Sequence, residues 1–404
     1  MADNKDKKVL NVPALRFPEF SGEWNTSSIG EQFELYSGNT PSRMDKKQFD
    51  GTINWITSGE LKEHYIADTK EKISDEAVKS NNLKLLSVGT FVIAIYGLEA
   101  DGVRGTCSIT ASESTISQAC MAFISKKDIA NEFLYAWYKK HGNIIGIRYA
   151  QGTKQQNLSY DIIEKFNISY PCIEEQKKLI HFISLIDERI VTQNKIIEKL
   201  ETLIKGIVDF IFNANKFPKV PFKEIYIRAG EGGTPATSIP EYYNNGTIPF
   251  IKIDDLQNKY IRSNKDCITE LGLQKSSAWI VPSNSIIYSN GATIGAISIN
   301  LFPVCTKQGI LGVVPKANIN VEFLYYFMTS TVFTKAVERI VTEGTMRTAY
   351  LKDINHILCP VPCSTQQDEI AKLLSTLSAK LENEITFHRK LQIQKEFLLS
   401  QMFI

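Results

Sequence analysis

The stretch that decides the fold is residues 179–211, LIHFISLIDERIVTQNKIIEKLETLIKGIVDFI. Its apolar residues are separated by four and three positions in strict alternation, and Gln193 is the polar member of the row. A repeat of about 3.5 residues is typical of a coiled-coil seam, whereas an ordinary surface helix carries a broader apolar face. The seam comprises Leu179, Ile183, Ile186, Ile190, Ile197, Leu200, Ile204, Ile207 and Ile211.

A second seam with the same period lies near the end of the sequence. Each seam predicts a helix of roughly 35 to 40 residues, or about 55 Å. We expect the two helices to pack antiparallel, so that Gln193 meets Glu384 and His388 in one polar layer that fixes the register at some cost in stability. The second seam comprises Ile370, Leu374, Leu377, Leu381, Leu391, Leu398 and Met402, with Glu384, His388 and Lys395 as polar members.

The sequence before each seam is an internal repeat. The motif Gly38-Asn39-Thr40-Pro41 corresponds to Gly232-Gly233-Thr234-Pro235, and Glu132-Phe133-Leu134-Tyr135 corresponds to Glu322-Phe323-Leu324-Tyr325. Further matches occur in the same order, so the insertions between the copies are small. These are Asn54-Trp55-Ile56 with Pro249-Phe250-Ile251, Gly152-Thr153 with Gly344-Thr345, and Pro171-Cys172 and Gln176 with Pro362-Cys363 and Gln367.

Within each copy, short β-rich runs alternate with Gly, Asn and Ser clusters, which is a hairpin pattern. We expect one helical stretch to close each copy, at 130–141 and 321–337, and a linker at 213–221. The fold class is therefore predicted as α+β, with two pseudo-repeated mixed α/β domains separated by two long antiparallel coiled-coil helices. The predicted limits are 1–173 for the first domain, 174–215 for the first helix, 216–363 for the second domain and 364–404 for the second helix.

Composition limits the class of protein. A chain of 404 residues with 43% hydrophobic and 22% charged residues is long enough for about two or three domains. The charged start at Met1–Lys8 lacks the apolar core of a signal peptide and no apolar run could span a membrane, so we expect a cytoplasmic protein. The 7 cysteines have no paired spacing, which indicates reduced packing residues.

Catalytic motifs are largely missing from the sequence. It contains no phosphate-binding G-x-x-x-x-G-K-[ST] loop and no Asn-Pro-Pro or Asp-Pro-Pro motif of an amino-methyltransferase. The segment Gly230–Gly233 is interpreted as a turn, and the 5 histidines lack metal-ligand spacing. Asp50 with Glu60-Leu61-Lys62 could suggest a nuclease, but the second copy has Asp255-Leu256-Gln257 and does not repeat it. We expect no catalytic or metal-binding residues.

The polar loops of both copies suit DNA. The net charge is only +2, so a nucleic-acid surface has to come from local patches. Arg and Lys can bind phosphates or guanine, while Asn, Gln, Ser and Thr read other base edges. Any single charge could equally be a solvated loop residue. The candidates are Arg43, Lys46, Lys47, Thr57, Ser58, Arg104, Arg148 and Lys154 in the first copy, and Lys252, Asn290, Lys307, Gln308 and Arg347 in the second.

These features together resemble the specificity subunits of Type I restriction-modification systems over essentially the whole chain. The resemblance is carried by Val12–Phe20 with Gly22-Glu23-Trp24, by Pro171–Lys178, and by second-copy motifs Gly232–Pro235, Ile248–Ile251, Ala292–Gly295 and Lys307–Ile310. The first copy departs from the pattern through Asn39 and a longer loop at Tyr96–Gly105. This divergence is consistent with two domains that read different sequences.

The resemblance implies a non-catalytic subunit whose two target-recognition domains each read one half of a bipartite target in double-stranded DNA. It implies that the helices set the spacer between the half-sites and dock two modification subunits, which carry S-adenosylmethionine and methylate adenine. Restriction subunits, which are nucleases and translocases that use ATP and Mg²⁺, would join the complex for cleavage. No cofactor is expected in this chain itself.

Two other functions are compatible with the residues. One is a self-contained restriction or modification enzyme with an unrecognised active site. The other is a two-headed adaptor whose helices bind protein partners and whose domains bind something other than DNA.

Overall fold

The protein is described by a computed structural model covering residues 10–126, 128–152, 156–214, 216–291, 293–341 and 347–404. It divides into two compact units. Unit 1 contains the chain up to Thr192 together with Phe387–Ile404, and unit 2 contains Gln193–Thr386. Each unit therefore contains one globular domain with part of each long helix. None of the described helices is long and apolar enough to cross a membrane.

Two long helices dominate the helical content of the described chain. The first, α5, has 42 residues and the second, α10, has 39. The helices are α1 (Ile29–Gln32), α2 (Asp75–Ser80), α3 (Asn131–Tyr149), α4 (Tyr160–Glu164), α5 (Ile173–Ala214), α6 (Glu270–Gln274), α7 (Val321–Thr329), α8 (Thr331–Ile340), α9 (Leu351–Ile354) and α10 (Ser364–Met402).

The strands of the first domain are β1 (Asn25–Ser28), β2 (Phe33–Ser37), β3 (Ile53–Ile56), β4 (Tyr65–Ile66), β5 (Lys72–Ile73), β6 (Phe91–Ala94), β7 (Cys107–Thr110), β8 (Ser114–Ile116), β9 (Cys120–Ser125) and β10 (Asn167–Tyr170). Those of the second are β11 (Lys219–Pro221), β12 (Tyr226–Glu231), β13 (Ile248–Ile251), β14 (Tyr260–Ile261), β15 (Asp266–Ile268), β16 (Ile286–Ser289), β17 (Ile297–Asn300), β18 (Cys305–Thr306), β19 (Ile310–Pro315) and β20 (Leu358–Pro360).

The sheet topology repeats strand for strand. The first domain has a five-stranded sheet in the order β2-β9-β6-β7-β4 and a three-stranded sheet β5-β3-β8, and the second has β12-β19-β16-β17-β14 and β15-β13-β18. Most neighbours are antiparallel, but β4–β7, β3–β8 and their second-copy equivalents are parallel. In each copy a two-stranded sheet, β1-β10 or β11-β20, precedes the long helix. The predicted α+β fold with two mixed repeats is confirmed.

The predicted seams are the least exposed rows of the long helices, because every seam position is buried or partly buried. In unit 2, Val208 and Ile211 of α5 share a core with Ala371 and Leu374 of α10, while Gln193 lies beside Glu384. Residues later in α5 thus pair with residues earlier in α10, so the helices run antiparallel.

Each domain packs its closing helix on the long helices through aromatic rings. In unit 1, the ring centroid of Phe133 on α3 lies 5.3 Å from that of Phe403, the residue after α10. In unit 2, the ring centroid of Phe323 on α7 lies 5.4 Å from that of Phe212 on α5. The segment before β1 is attached to the first turn of α5. Arg16 donates to both carboxylate oxygens of the buried Glu175 at 2.8 and 2.7 Å.

Several local predictions differ from the structure. The predicted linker at 213–221 contains the last residues of α5 and strand β11, and the helix predicted at 130–141 continues to Tyr149 as α3. The predicted helix at 321–337 is divided into α7 and α8, because Ser330 ends the first and its hydroxyl oxygen accepts from Phe333 N to begin the second. Gly230 lies within β12 rather than in a turn. A Cβ atom on Gly230 would lie 3.6 Å from the indole nitrogen of Trp279, so the tryptophan packs beside the glycine.

Candidate nucleic-acid interface

Backbone hydrogen bonds gather five loop segments at one place in the second domain. Lys307 N donates to Ile251 O at 3.0 Å, Asn290 N to Gly309 O at 3.1 Å, and Ala349 N to Asn290 O at 2.9 Å. Gln308 N lies 3.4 Å from the Thr234 hydroxyl oxygen. We call this group the second loop cluster, defined as residues 232–235, 251–252, 290–291, 307–309 and 347–349.

The first domain builds the same arrangement from the equivalent segments. Ser117 N donates to Ile56 O at 2.8 Å, Ile95 N to Ala119 O at 2.9 Å, and Leu158 N to Ile95 O at 2.9 Å. The Trp55 indole donates to Asn39 O at 3.2 Å. We call this group the first loop cluster, defined as residues 38–41, 56–58, 95–98, 117–119 and 156–158.

The repeated glycine motif has a steric reason. A Cβ atom on Gly38 would lie 1.8 Å from Ile116 O, and one on Gly232 would lie 1.8 Å from Thr306 O. Each glycine therefore lets its loop pass directly over the end of a strand. Gly233 is equally crowded, since its Cβ would lie 2.5 Å from Ala278 N.

The second loop cluster contains most of the candidates of its domain. Lys307, Gln308 and Arg347 are exposed, and Arg347 lines a cleft of about 390 Å³ with Thr293 and Glu338. Lys252 forms an ion pair within the domain, because its Nζ lies 2.9 Å from the Asp266 carboxylate. Cationic and amide side chains thus project from one cluster, an arrangement that can contact both phosphates and base edges.

Asn290 is a correction to the sequence-based candidates. Its side chain is fully buried, and its amide donates to Glu231 Oε1 at 2.7 Å and to Ala349 O at 3.1 Å. The buried amide holds the segment that follows Arg347, so in this structure it supports the cluster and is not presented to a duplex. The equivalent residue in the first cluster is the apolar Ile95.

The candidates of the first loop cluster are held by local hydrogen bonds. Thr57 N and its hydroxyl both donate to Glu60 Oε2, at 2.9 and 2.8 Å, which begins the short helical turn that contains Ser58. Arg104, in the longer loop of this copy, donates to Gln156 Oε1 at 2.7 Å. Gln156 N in turn donates to Glu99 Oε2 at 2.7 Å. The longer loop therefore fixes Gln156. Lys154 lies outside the described residues.

The remaining first-domain candidates lie beside or away from the cluster. Arg43 forms a two-pronged ion pair with Glu71 and lies over the Phe49 ring at 4.9 Å. Its position next to Trp55 places it at the edge of the cluster. Lys46 and Lys47 are exposed on a short helical turn after it. Arg148 is exposed in the last turn of α3. Their DNA contacts remain predictions.

The structure brings together two of the three residues predicted for the polar layer of the seam. The Gln193 side-chain amide donates to the Glu384 carboxylate at 2.6 Å and to its backbone carbonyl at 3.2 Å. Gln193 is only 5% exposed, and its hydrogen bond lowers the pKa of Glu384. His388 lies one turn further along α10, in unit 1, and its Nε2 has no hydrogen bond among the described residues.

One group of polar residues was missed by the sequence analysis. Lys259, which is 8% exposed, donates to Glu322 Oε2 at 3.0 Å, to the Tyr326 hydroxyl at 3.0 Å and to Ser375 Oγ on α10 at 2.9 Å. The Tyr326 hydroxyl also lies 2.9 Å from Ser378 Oγ. We call these five residues the mid-helix anchor. Burial alone would lower the pKa of Lys259, but the hydrogen bonds with Tyr326, Tyr260 and Glu322 raise it above its usual value.

The first domain has a different arrangement at the equivalent place. His64 Nε2 lies 2.9 Å from Glu132 Oε2, and the Tyr65 hydroxyl donates to Glu132 Oε1 at 2.7 Å. The imidazole is stacked between Tyr65 and Tyr135, with ring centroids 4.2 and 3.9 Å apart. Aligning the repeats would have placed His64 against Lys259 and Glu132 against Glu322, which is the signal that could have revealed both groups.

The described residues contain no cluster of three or more His, Cys, Asp and Glu side chains suited to a metal ion. The buried thiols are also unsuited to nucleophilic chemistry, because burial raises the pKa of Cys120 to about 12 and that of Cys305 to about 11.

Solved structures share this architecture of two repeated domains with long helices. The S subunit of a Type I restriction-modification system from M. genitalium superposes with a TM-score of 0.57 at 17% identity, covering 97% of this chain and 99% of that one. A chain from work on complex assembly and conformational transition of the type I R-M system gives a TM-score of 0.63 at 15% identity, covering 94% and 97%. The fold is thus that of two-domain specificity subunits.

The family model for the Type I restriction modification DNA specificity domain matches residues 21–202 and 219–394. The chain belongs to this family and contains two copies of its domain. The MjaIX specificity subunit of Methanocaldococcus jannaschii is 24% identical over 385 residues, which is 89% of this chain and 88% of that relative. The EcoR124I/EcoR124II specificity subunit of Escherichia coli is 29% identical over 161 residues, or 38% and 39%.

Proposed function

We propose that this chain is the DNA specificity subunit of a Type I restriction-modification complex. The observation that carries the proposal is the paired loop cluster: the same five segments meet in both domains, while the side chains that they present differ. Lys307 and Arg347, the exposed cations of the second cluster, correspond to Ser117 and Gln156 of the first. Equivalent scaffolds with different polar side chains suit two half-sites of different sequence.

The proposal includes a bipartite target in double-stranded DNA. Each domain reads one half-site, and the long helices set the number of base pairs between them. At about 1.5 Å per residue, the length of a helix is a ruler that can be changed in steps of one heptad. The two loop clusters are the surfaces that we assign to the half-sites.

The long helices are also the surface that we assign to two modification subunits. α5 carries a second apolar row outside the seam, formed by Ile196, Leu203 and Phe210 at seven-residue spacing. These side chains are 40%, 51% and 69% exposed. An exposed apolar row of this kind suits a helical partner. The modification subunits would carry S-adenosylmethionine and methylate adenine.

We infer that the chain itself is not an enzyme and that restriction subunits, which use ATP and Mg²⁺, join the complex for cleavage. The match of the DNA specificity domain to residues 21–202 and 219–394 supports this assignment. A complex that acts on the genome would work in the cytoplasm.

The test is methylation sequencing of a methylation-free host that expresses the modification subunit encoded with this chain. Adenine methylation at one split motif, present only when the chain is co-expressed, supports the proposal and identifies the target. If no motif appears although the modification subunit is expressed and bound, the adaptor function is favoured. Mg²⁺-dependent cleavage or methyl transfer by the purified chain alone would favour a self-contained enzyme.

A further inference from the structure

Each domain is attached to a long helix through an equivalent glutamine near the start of that helix. In unit 1, Gln176 near the start of α5 binds the segment before α3, and in unit 2, Gln367 near the start of α10 binds the segment before α7. The ends of the long helices add further bonds at this level. Lys140 donates to Ser400 O at 3.0 Å in unit 1, and Thr331 N donates to Asp209 Oδ1 at 2.8 Å in unit 2.

A second attachment point is present in unit 2. Ser375 of α10 donates to Glu322 and accepts from Lys259, and Ser378 bonds to Tyr326 at 2.9 Å. Ser375 lies eight residues after Gln367, which corresponds to about 12 Å along the helix. Two polar attachments separated by this distance restrain the domain at two points along α10.

Among the described residues, no hydrogen bond joins the first domain to a long helix at the equivalent place in unit 1, where Tyr135 makes apolar contact with the core that contains Ile183 and Leu399. Ser184 and Asp187 occupy the α5 positions that correspond to Ser375 and Ser378, but Ser184 donates to His181 O of its own helix and Asp187 pairs with Lys395 of α10. In the described part of the chain, neither His64 nor Glu132 is hydrogen-bonded to a long helix. A small cavity of about 40 Å³ lies here, lined by His64, Glu132, Ser184, Asp187 and Lys395 among others.

The difference follows from side-chain reach. Lysine extends its ammonium group on a four-carbon stem and donates in three directions, so Lys259 reaches Glu322, Tyr326 and Ser375 together. Histidine is shorter and planar, and stacking between Tyr65 and Tyr135 directs the His64 ring toward Glu132. The histidine therefore completes a bond within the domain but does not extend to the helix.

We propose that Ser375 and Ser378, bound by the rest of the mid-helix anchor, are positioning residues that lock the second recognition domain on α10, and that the first domain, which lacks this lock, is the more adjustable reader. The first domain can then adapt to small changes in the position of its half-site, while the second holds a fixed position. This inference rests on the proposed bipartite reading of DNA.

A direct test uses distance distributions between pairs of spin labels at equivalent exposed positions. One pair joins Glu76 and His181 in unit 1, and the other joins Leu271 and Lys372 in unit 2, with Cys172, Cys267 and Cys363 replaced by serine. We expect a narrower distribution in unit 2. The double variant Ser375→Ala with Ser378→Ala should broaden it toward the width of unit 1, whereas the neighbouring Thr376→Ala should not. Equal widths in the parent protein would overturn the proposal.

The reciprocal variant keeps the test independent of damage to unit 2. In the variant His64→Lys, the longer side chain should reach Glu132 and Ser184. The spin-label distance distribution of unit 1 should then become narrower. Ser375→Thr, which keeps the hydroxyl, should preserve the width of unit 2. If the serine double variant leaves that width unchanged while the protein remains folded, the serines have no locking role.

A second readout separates this inference from the proposed function. In methylation sequencing, the parent chain should give one split motif, and the serine double variant should give added methylation, several-fold above the parent, at sites whose spacer differs by one base pair. If the serine double variant methylates only the parent motif with the parent spacer, the lock is contradicted but the bipartite function is not. No motif with the parent chain contradicts the bipartite function instead.

Discussion

Gln367 repeats in the second unit the three hydrogen bonds that Gln176 makes in the first. Gln176 Oε1 accepts from Ala130 N at 3.0 Å, while its amide donates to Asp128 O at 2.7 Å and to Pro171 O at 3.0 Å. Gln367 binds Asn320 N, Asn318 O and Pro362 O at 2.9, 3.2 and 2.9 Å. Both side chains are at most 1% exposed. Each glutamine satisfies backbone groups where domain and helix meet.

Gln176→Leu and Gln367→Leu should therefore destabilise the unit that contains them. Each change leaves buried backbone groups without partners, and we expect a loss of about 1–3 kcal/mol in the free energy of unfolding. Urea titrations followed by circular dichroism measure this loss. The exposed Gln392→Leu on α10 is the control, and a loss no larger than that of the control would show that these bonds contribute little.

The Gln193–Glu384 pair makes opposite predictions for single and double changes. Glu384→Leu alone removes the carboxylate partner of the buried Gln193 amide, which keeps only the backbone carbonyl of residue 384, and should lower the melting temperature. Replacing both residues with leucine should raise the melting temperature above that of the parent, because this layer of the seam then has no polar groups to desolvate, while the helix register becomes less defined. Calorimetry measures the first effect and spin-label distances between α5 and α10 within unit 2 measure the second. A double variant that melts below the parent contradicts the hypothesis.

The lowered pKa of His141 leads us to expect a loss of stability in acid. Burial and the nearby Lys140 lower the pKa of this histidine from 6.5 to about 4. Between these values the unfolded chain binds a proton that the folded chain does not, so the free energy of unfolding falls as the pH decreases from about 6.5 to 4. His141→Phe, which keeps a ring against Trp137, should reduce this dependence. Urea titrations at pH 7 and pH 5 test it, and an undiminished pH dependence in His141→Phe would contradict this assignment.

The second loop cluster predicts a defect confined to one half-site. Lys307→Ala and Arg347→Ala should weaken binding or relax only the second half of the motif, since both residues belong to that cluster. If a side chain contacts phosphate, the slope of log affinity against log salt should decrease by about one. Fluorescence anisotropy of the assembled complex on labelled DNA measures both effects, with the exposed helix residue Lys390→Ala as control. Relaxation of the first half-site would show that the domains do not read independently.

The helices predict a change of spacer without a change of half-site. Deleting one heptad from both α5 and α10 removes about 10 Å of rod while keeping the seam in phase. Methylation sequencing should then report a spacer that is shorter by about three base pairs, at about 3.4 Å per base pair. An unchanged spacer after the deletion would contradict the proposal that helix length sets the spacer.

Features with a short period or an internal copy could be predicted from the sequence. The seams follow from the spacing of residues such as Leu179 and Ile183, and the repeat follows from motifs such as Gly38–Pro41. The parallel pairing of β3 with β8 could not be predicted, because it joins segments about sixty residues apart and no local pattern specifies the partner.

The candidate site was predicted less completely, because a residue type in a loop does not reveal its surroundings. Asn290 has the polarity of a base-reading residue, yet its amide is enclosed by Glu231 and Ala349. Lys259 resembles a solvated lysine but is buried against Glu322. Burial and partner choice depend on contacts between distant segments, and only the folded chain brings these together.

The division of each long helix between the two units has a consequence for engineering. The boundaries between units fall within helices, after Thr192 and after Thr386, and not in the segment that precedes β11. A piece spanning 193–386 keeps its sheets, the Gln367 contacts, the mid-helix anchor and both helix segments that cover its core. Exchange of one half between related chains should therefore be made at these two mid-helix positions, since a cut just before β11 would remove Val208 and Ile211 from the hydrophobic core that they complete.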